Sequence, residues 1–176
     1  MRSKVRLVIT TLCNKECEDC CMKQVDIDKV PNIIWNDLSS CKEILITGGE
    51  PMLCTQGALL EWISLLRFYA PEAKIYIYTA DVSNVTKSLF LLRVTNGITL
   101  TLHTEDKDCL KHFMAFHNAM ITNGTHIGKS MRLNVFKGIL GEKLVCEPWA
   151  VKQDLEWIEN CPVPEDEVLC KLPGVK

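Results

Sequence analysis

The chain has no stretch approaching the ~18 uninterrupted apolar residues of a membrane span, which argues against a transmembrane helix. It has no basic excess: the formal net charge is −2, so nothing advertises binding to nucleic acid or to an anionic membrane. An export signal is missing too. The first residues are basic, with Arg2, Lys4 and Arg6, but only a short apolar and threonine run separates them from a polar cysteine cluster. Internal repeats at a fixed period, low-complexity tracts and a clear linker are also absent; the weakest boundary falls around residues 138–141. What remains is the profile of a soluble, cytoplasmic globular protein, 47% apolar and 24% charged. At 176 residues it is long enough for one sizeable core.

Cysteine is the residue the chain does not lack. Ten are present, and Cys13, Cys17, Cys20 and Cys21 fall close together. Secreted disulfide scaffolds reach such a density, but they are usually short, loop-rich and led by a signal peptide. In a reducing compartment, clustered cysteines more often hold a metal or carry redox chemistry.

Strand-like and helix-like runs alternate along the chain. Lys4–Thr10, Glu43–Thr47, Lys74–Thr79, Ile98–His103 and Met131–Lys137 read as strands, with a sixth short one near Leu144-Val145. Helical patterns fall between them, over Gln56–Tyr69, Val82–Val94 and Asp106–Thr122. In the last of these, Leu110, Phe113, Met114 and His117 share a face. Asn96-Gly97 reads as a helix stop, and a helix over Val151–Glu159 and a proline-containing tail finish the chain. This rhythm predicts an α/β fold with a mostly parallel sheet. A full eight-unit barrel takes about 250 residues, roughly 31 per unit, so this chain accommodates between about five and six units. An open doubly wound sheet and a partial barrel both fit. Residues 1–145 form the expected core, and 146–176 a helix and tail packed on it.

Directly after the first strand comes Cys13-x3-Cys17-x2-Cys20. Three thiolates on one tight loop can ligate three irons of a 4Fe–4S cube and leave the fourth without a protein ligand, whereas a closed electron-transfer cluster takes four cysteines. An incomplete ligand set marks a catalytic centre, by the logic that separates catalytic from structural zinc. A tetrathiolate zinc site using Cys21 competes with this reading. Adjacent Cys20 and Cys21 are awkward partners on one tetrahedral ion, and a second spaced Cys/His pair is not seen.

Gly48-Gly49-Glu50-Pro51 follows the second strand. Paired glycines let backbone approach a ligand closely, and a carboxylate can accept hydrogen bonds from an ammonium group. The plainer reading is a βα turn whose proline opens the next segment. Both motifs sit at carboxyl ends of strands, where α/β folds place their ligands.

In these two motifs the chain resembles the radical S-adenosylmethionine (radical SAM) enzymes, up to about Val145. The resemblance implies a partial (βα)6 barrel, trimmed here, with a short C-terminal extension. It implies a 4Fe–4S cluster on Cys13, Cys17 and Cys20, with S-adenosylmethionine chelating the remaining iron. Gly48, Gly49, Glu50 and Pro51 would line the methionine amino group. Reductive cleavage would yield a 5′-deoxyadenosyl radical that abstracts hydrogen from substrate. An external one-electron donor such as flavodoxin or ferredoxin is implied with it. Arg132 and Asn134, on the fifth strand, are similar to residues that contact the nucleoside or the methionine carboxylate in some members. An ordinary strand with outward polar residues accounts for them equally well. Thr79 ends the third strand within reach of ribose or methionine. His103 ends the fourth and is the candidate catalytic or substrate-contacting residue, although a lone histidine there is more often structural. Asp19 stands where many members carry an aromatic near adenine, so adenine would pack on Met22 or on the tail.

Cys146, Cys161 and Cys170 in the tail suggest an auxiliary cluster, but no C-x2-C pair supports it, and cysteine is often a plain buried residue. Trp149 and Trp157 read as packing for the C-terminal helix. Small size favours a small-molecule or nucleoside-type substrate, or a protein partner that completes the site. Compact branches of the family that it resembles include 7-carboxy-7-deazaguanine synthases and activases of glycyl-radical enzymes. A peptide-modifying enzyme and a non-enzymatic iron–sulfur or zinc module are the alternatives.

Overall fold

The computed structural model describes residues 3–15, 17–103, 108–140, 142–158 and 162–176. Seven strands are described: β1 (Lys4–Val8), β2 (Glu43–Thr47), β3 (Lys74–Thr79), β4 (Gly97–Leu102), β5 (Ser130–Phe136), β6 (Ala150–Leu155) and β7 (Glu167–Lys171). The helices are α1 (Cys21–Gln24), α2 (Gln56–Tyr69), α3 (Val85–Val94) and α4 (Cys109–Thr122), with short 3-10 turns between some of them. The strands form one parallel sheet in the order β6-β5-β4-β3-β2-β1-β7. Parallel neighbours need crossovers, and α2, α3 and α4 supply three of them. The architecture is α/β, as the βαβ rhythm predicts.

The chain divides into two compact units, residues 1–76 with 157–176, and residues 77–156. In the first unit β1 lies between β2 and β7, with Val8 in register with both Thr47 and Lys171. Leu7, Ile44 and Ile46 are fully buried, as are Leu59 and Leu66 of α2. Thr55 starts α2 by accepting the Ala58 N–H at 3.2 Å, and Pro71 follows its end. In the second unit β5 runs between β4 and β6.

Several expectations need correction. The helix expected over Val151–Glu159 is not formed by residues 151–158, because β6 occupies most of that span. Val151, Leu155 and Ile158 mimic a helical stripe, but Val151, Gln153 and Leu155 alternate with exposed neighbours as an edge strand does. Trp149 packs on α4 instead, its ring 5.4 Å from Phe113 and 6.2 Å from Phe116. Leu144-Val145 is not a strand; the Leu144 N–H is held by the Gln153 side chain at 2.9 Å. The buried face of α4 is Cys109, Phe113, Phe116 and Met120, so exposed Met114 lies off it. Gly97 does not stop α3. Thr95 closes that helix with its hydroxyl on the Leu91 carbonyl at 2.9 Å. Gly97 opens β4, where a side chain would collide with the Ser130 carbonyl of β5. The expected start of the α4 region at Asp106, the expected helix end at Glu159, and Cys161 lie outside the described residues.

No helix among the described residues is long and apolar enough to cross a membrane.

Candidate functional site

The first unit brings the Cys13–Cys20 loop and the Gly48–Pro51 turn together through main-chain bonds. Beyond β1, the Ile9 N–H donates to the Thr47 carbonyl at 3.0 Å, which continues the ladder. The Gly49 N–H then donates to the Thr10 carbonyl at 2.8 Å, and the Glu50 N–H to the Leu12 carbonyl at 2.7 Å. The Thr10 hydroxyl accepts the Leu12 N–H at 3.1 Å and shapes the turn that delivers Cys13. Two peptide segments approach this closely only because the facing residues are glycines. Gly48 sits at φ +131°, and a Cβ there or on Gly49 would strike the Thr10 or Leu12 backbone oxygen.

Glu50 is 1% exposed, and its Oε1 accepts the Met52 N–H at 2.8 Å, capping the turn Pro51–Leu53. The plain reading of this segment as a turn starting at proline is therefore correct as local structure. A carboxylate offers about four acceptor sites, so capping and holding a cationic ligand are compatible.

Of the three motif cysteines, Cys13 is exposed, Cys20 half-buried and Cys17 buried, and all are free thiols. Although Cys13 is exposed as a residue, packing around its sulfur pushes the thiol pKa up; the nearby Glu50 and Cys20 push the same way. The Lys15 N–H, 3.4 Å from the sulfur, and the Lys15 charge oppose them. Cys13 thus lies within electrostatic reach of both Glu50 and Cys20. Among the described residues, no three His, Cys, Asp or Glu side chains stand close enough to form a preassembled metal cage. Ligand atoms on such a loop are normally gathered by the metal they bind. Cys21 is disulfide-bonded, which removes it as a fourth thiolate in this form of the protein.

The remaining candidates, Thr79 at the end of β3 included, lie in the second unit. Register places Thr99 beside Arg132 and Thr101 beside Asn134. By alternation, Arg132, Asn134 and Phe136 share one face of β5, and Met131, Leu133 and Val135 are buried on the other. His103, 9% exposed, stacks at 4.9 Å on Phe136, so it joins that polar face. Thr79 is 5% exposed and closes a turn: its hydroxyl donates to the Asp81 carbonyl at 3.1 Å and accepts the Asp81 N–H at 2.9 Å.

Cys170 and Cys146 sit in different units. Cys170 is 6% exposed on β7, and burial, with Cys41 nearby, pushes its thiol pKa up to about 12. Cys146 lies 3.8 Å from His117, whose Nδ1 accepts the Trp149 indole N–H at 3.1 Å. Burial raises the Cys146 thiol pKa too. With a thiol pKa of about 12, about one Cys170 side chain in ten thousand is ionised at pH 8. Native protein treated with iodoacetamide at that pH should leave Cys170 unlabelled while Cys13 reacts, as peptide mass mapping will show.

Sequence reasoning missed three charged residues of the first unit. The Arg6 guanidinium grips the Glu167 carboxylate at 2.7 and 2.9 Å, and Lys171 donates to the Ile27 carbonyl at 2.9 Å. Their signal was hidden because β7 itself was not recognised. No family model, curated protein or solved structure matches the chain.

Proposed function

We propose that the chain is a radical S-adenosylmethionine enzyme acting on a small-molecule or nucleoside-type substrate. The observation that carries the reading is the double main-chain clasp, Gly49 to Thr10 and Glu50 to Leu12, which joins the three-cysteine loop to the glycine turn. A partial barrel is the architecture it calls for, and a parallel sheet whose first six strands follow chain order is compatible with one.

The donor set suits an iron–sulfur cluster: three free thiols on one loop, with the fourth local cysteine tied up in a disulfide. When bound, the cluster would pass one electron from a flavodoxin- or ferredoxin-type donor into the C5′–S bond of S-adenosylmethionine, giving methionine and a 5′-deoxyadenosyl radical. The chain's own residues do the rest. Cys13, Cys17 and Cys20 would hold the cluster, which would supply the binding point for the amino and carboxylate groups of the cosubstrate. The glycine turn lets the methionine end approach the backbone. Glu50, already oriented by its cap bond, accepts from the methionine ammonium.

The test is anaerobic reconstitution followed by dithionite reduction. The reduced cluster's electron paramagnetic resonance signal should change on adding S-adenosylmethionine, and 5′-deoxyadenosine should accumulate. A silent spectrum with no 5′-deoxyadenosine would leave only a metal-binding module. Glu50→Gln separates the carboxylate's two tasks, because glutamine keeps the capping oxygen and loses the charge. The variant should hold full iron and bind S-adenosylmethionine about 10- to 100-fold more weakly, the equivalent of one charge-assisted hydrogen bond. Unchanged affinity in equilibrium dialysis would remove Glu50 from the ligand set.

A further inference from the structure

We infer that Lys171 is an anion-binding residue that receives a carboxylate of the substrate. It ends β7 and is 9% exposed. Its backbone is pinned from one side by the Pro31 carbonyl and the Ile33 N–H at 2.9 and 2.8 Å, and its ammonium reaches the Ile27 carbonyl at 2.9 Å. A neutral carbonyl satisfies one of three N–H donors and none of the charge. Among the described residues, no carboxylate pairs with this ammonium. Glu167 on the same strand is engaged by Arg6, Asp166 by Lys4, and Asp26, next to Ile27, by Lys29. Buried charges are costly unless paired and hydrogen-bonded, so a lysine held this way is arranged for an anion that arrives from outside.

Its location says which anion. Lys171 is in register with Val8, and Val8 with Thr47, the residue before Gly48. All three are therefore on one face at the carboxyl ends of their strands, where parallel sheets place ligands. The opposite face carries Leu7 and Cys170, which are buried. β7 lies two strand spacings, about 10 Å, from the glycine turn that follows β2. That is too far for the methionine end of a cosubstrate on Gly48–Glu50, and suitable for a second molecule beside it. The anion site stands on geometry alone; giving it to the substrate rests on the radical S-adenosylmethionine reading.

The experiment uses the full chain and Lys171→Gln, in which the amide can still donate to Ile27. Thermal melts are followed against malonate, inorganic phosphate and chloride at constant ionic strength. Malonate should stabilise the wild type saturably. Lys171→Gln should melt no lower than wild type and bind malonate about tenfold more weakly or worse, the loss of one charge-assisted contact. A lower melting point with an undiminished malonate response would make Lys171 a scaffold residue and overturn the proposal. Saturable stabilisation by phosphate but not by malonate would overturn the carboxylate assignment. Reconstituted Lys171→Gln should bind S-adenosylmethionine as tightly as wild type. A loss there would move the contact to the cosubstrate. Failure of the radical reading instead shows as missing 5′-deoxyadenosine while malonate still binds.

Discussion

Cys17→Ala protein, reconstituted without oxygen, should lose its iron entirely, from about four atoms per chain to none. Cys17 is the buried member of the three and lies outside any disulfide, so on the proposed reading a closing loop would organise around it. The substitution removes one sulfur donor of three, and two thiolates do not retain a cube against solvent and chelators. Cys13→Ala and Cys20→Ala should behave alike. Cys170→Ala should retain full iron, because that thiol is held protonated on β7. Cys21→Ala should also retain it, since a disulfide sulfur is not a ligand. Iron and sulfide analysis, with the visible absorbance, decides the matter. Full iron in Cys17→Ala, or zinc in the wild type, would end the proposed function.

Gly48→Ala and Gly49→Ala should be the most damaging single-methyl additions in the first unit. A Cβ at either position comes closer than 3.0 Å to a carbonyl oxygen of the opposing segment, Thr10 for Gly48 and Leu12 for Gly49. Backbone cannot swing aside as a side-chain tip can. Overpacking costs about 1–3 kcal/mol, and at Gly48 the left-handed φ adds about 1–3 kcal/mol more. Relief requires the two segments to part, which breaks the clasp and displaces the cysteine loop. Each variant should therefore lose stability in urea and also hold iron poorly. Gly57→Ala is the control. Nothing lies within 4 Å of its Cβ position, and it sits in the first turn of α2, so about 0.5 kcal/mol of stabilisation is expected there. If Gly49→Ala were as stable as Gly57→Ala, the close approach would be wrong.

The elements that sequence reading placed well share one property: their own residues decide them. α2 carries Leu59, Ile63 and Leu66 at helical spacing between Thr55 and Pro71, and β2 and β3 are β-branched and aromatic runs ended by a turn. β7 was missed because its polar ends contradict a buried parallel strand, which normally reads as apolar throughout. Glu167 and Lys171 make sense only once Arg6 and Ile27 stand opposite them. β6 was misread because its spacing satisfies two periods at once, and only pairing with β5 selects between them. The Cys13–Cys20 and Gly48–Pro51 motifs were legible as segments that follow the carboxyl ends of two strands. Their mutual clasp was not, since main-chain hydrogen bonds carry no residue code. Lys171 stayed invisible for the same reason as β7.

β7 pairs with β1 across most of the chain; the Arg6–Glu167 contact alone spans 161 positions. Pairings of such long range are slow to close and come late in folding. On the ribosome, β1 and the cysteine loop emerge before β7 and wait for it while β2 to β6 are synthesised. A messenger truncated before β7 would release the cysteine loop with no finished sheet beneath it.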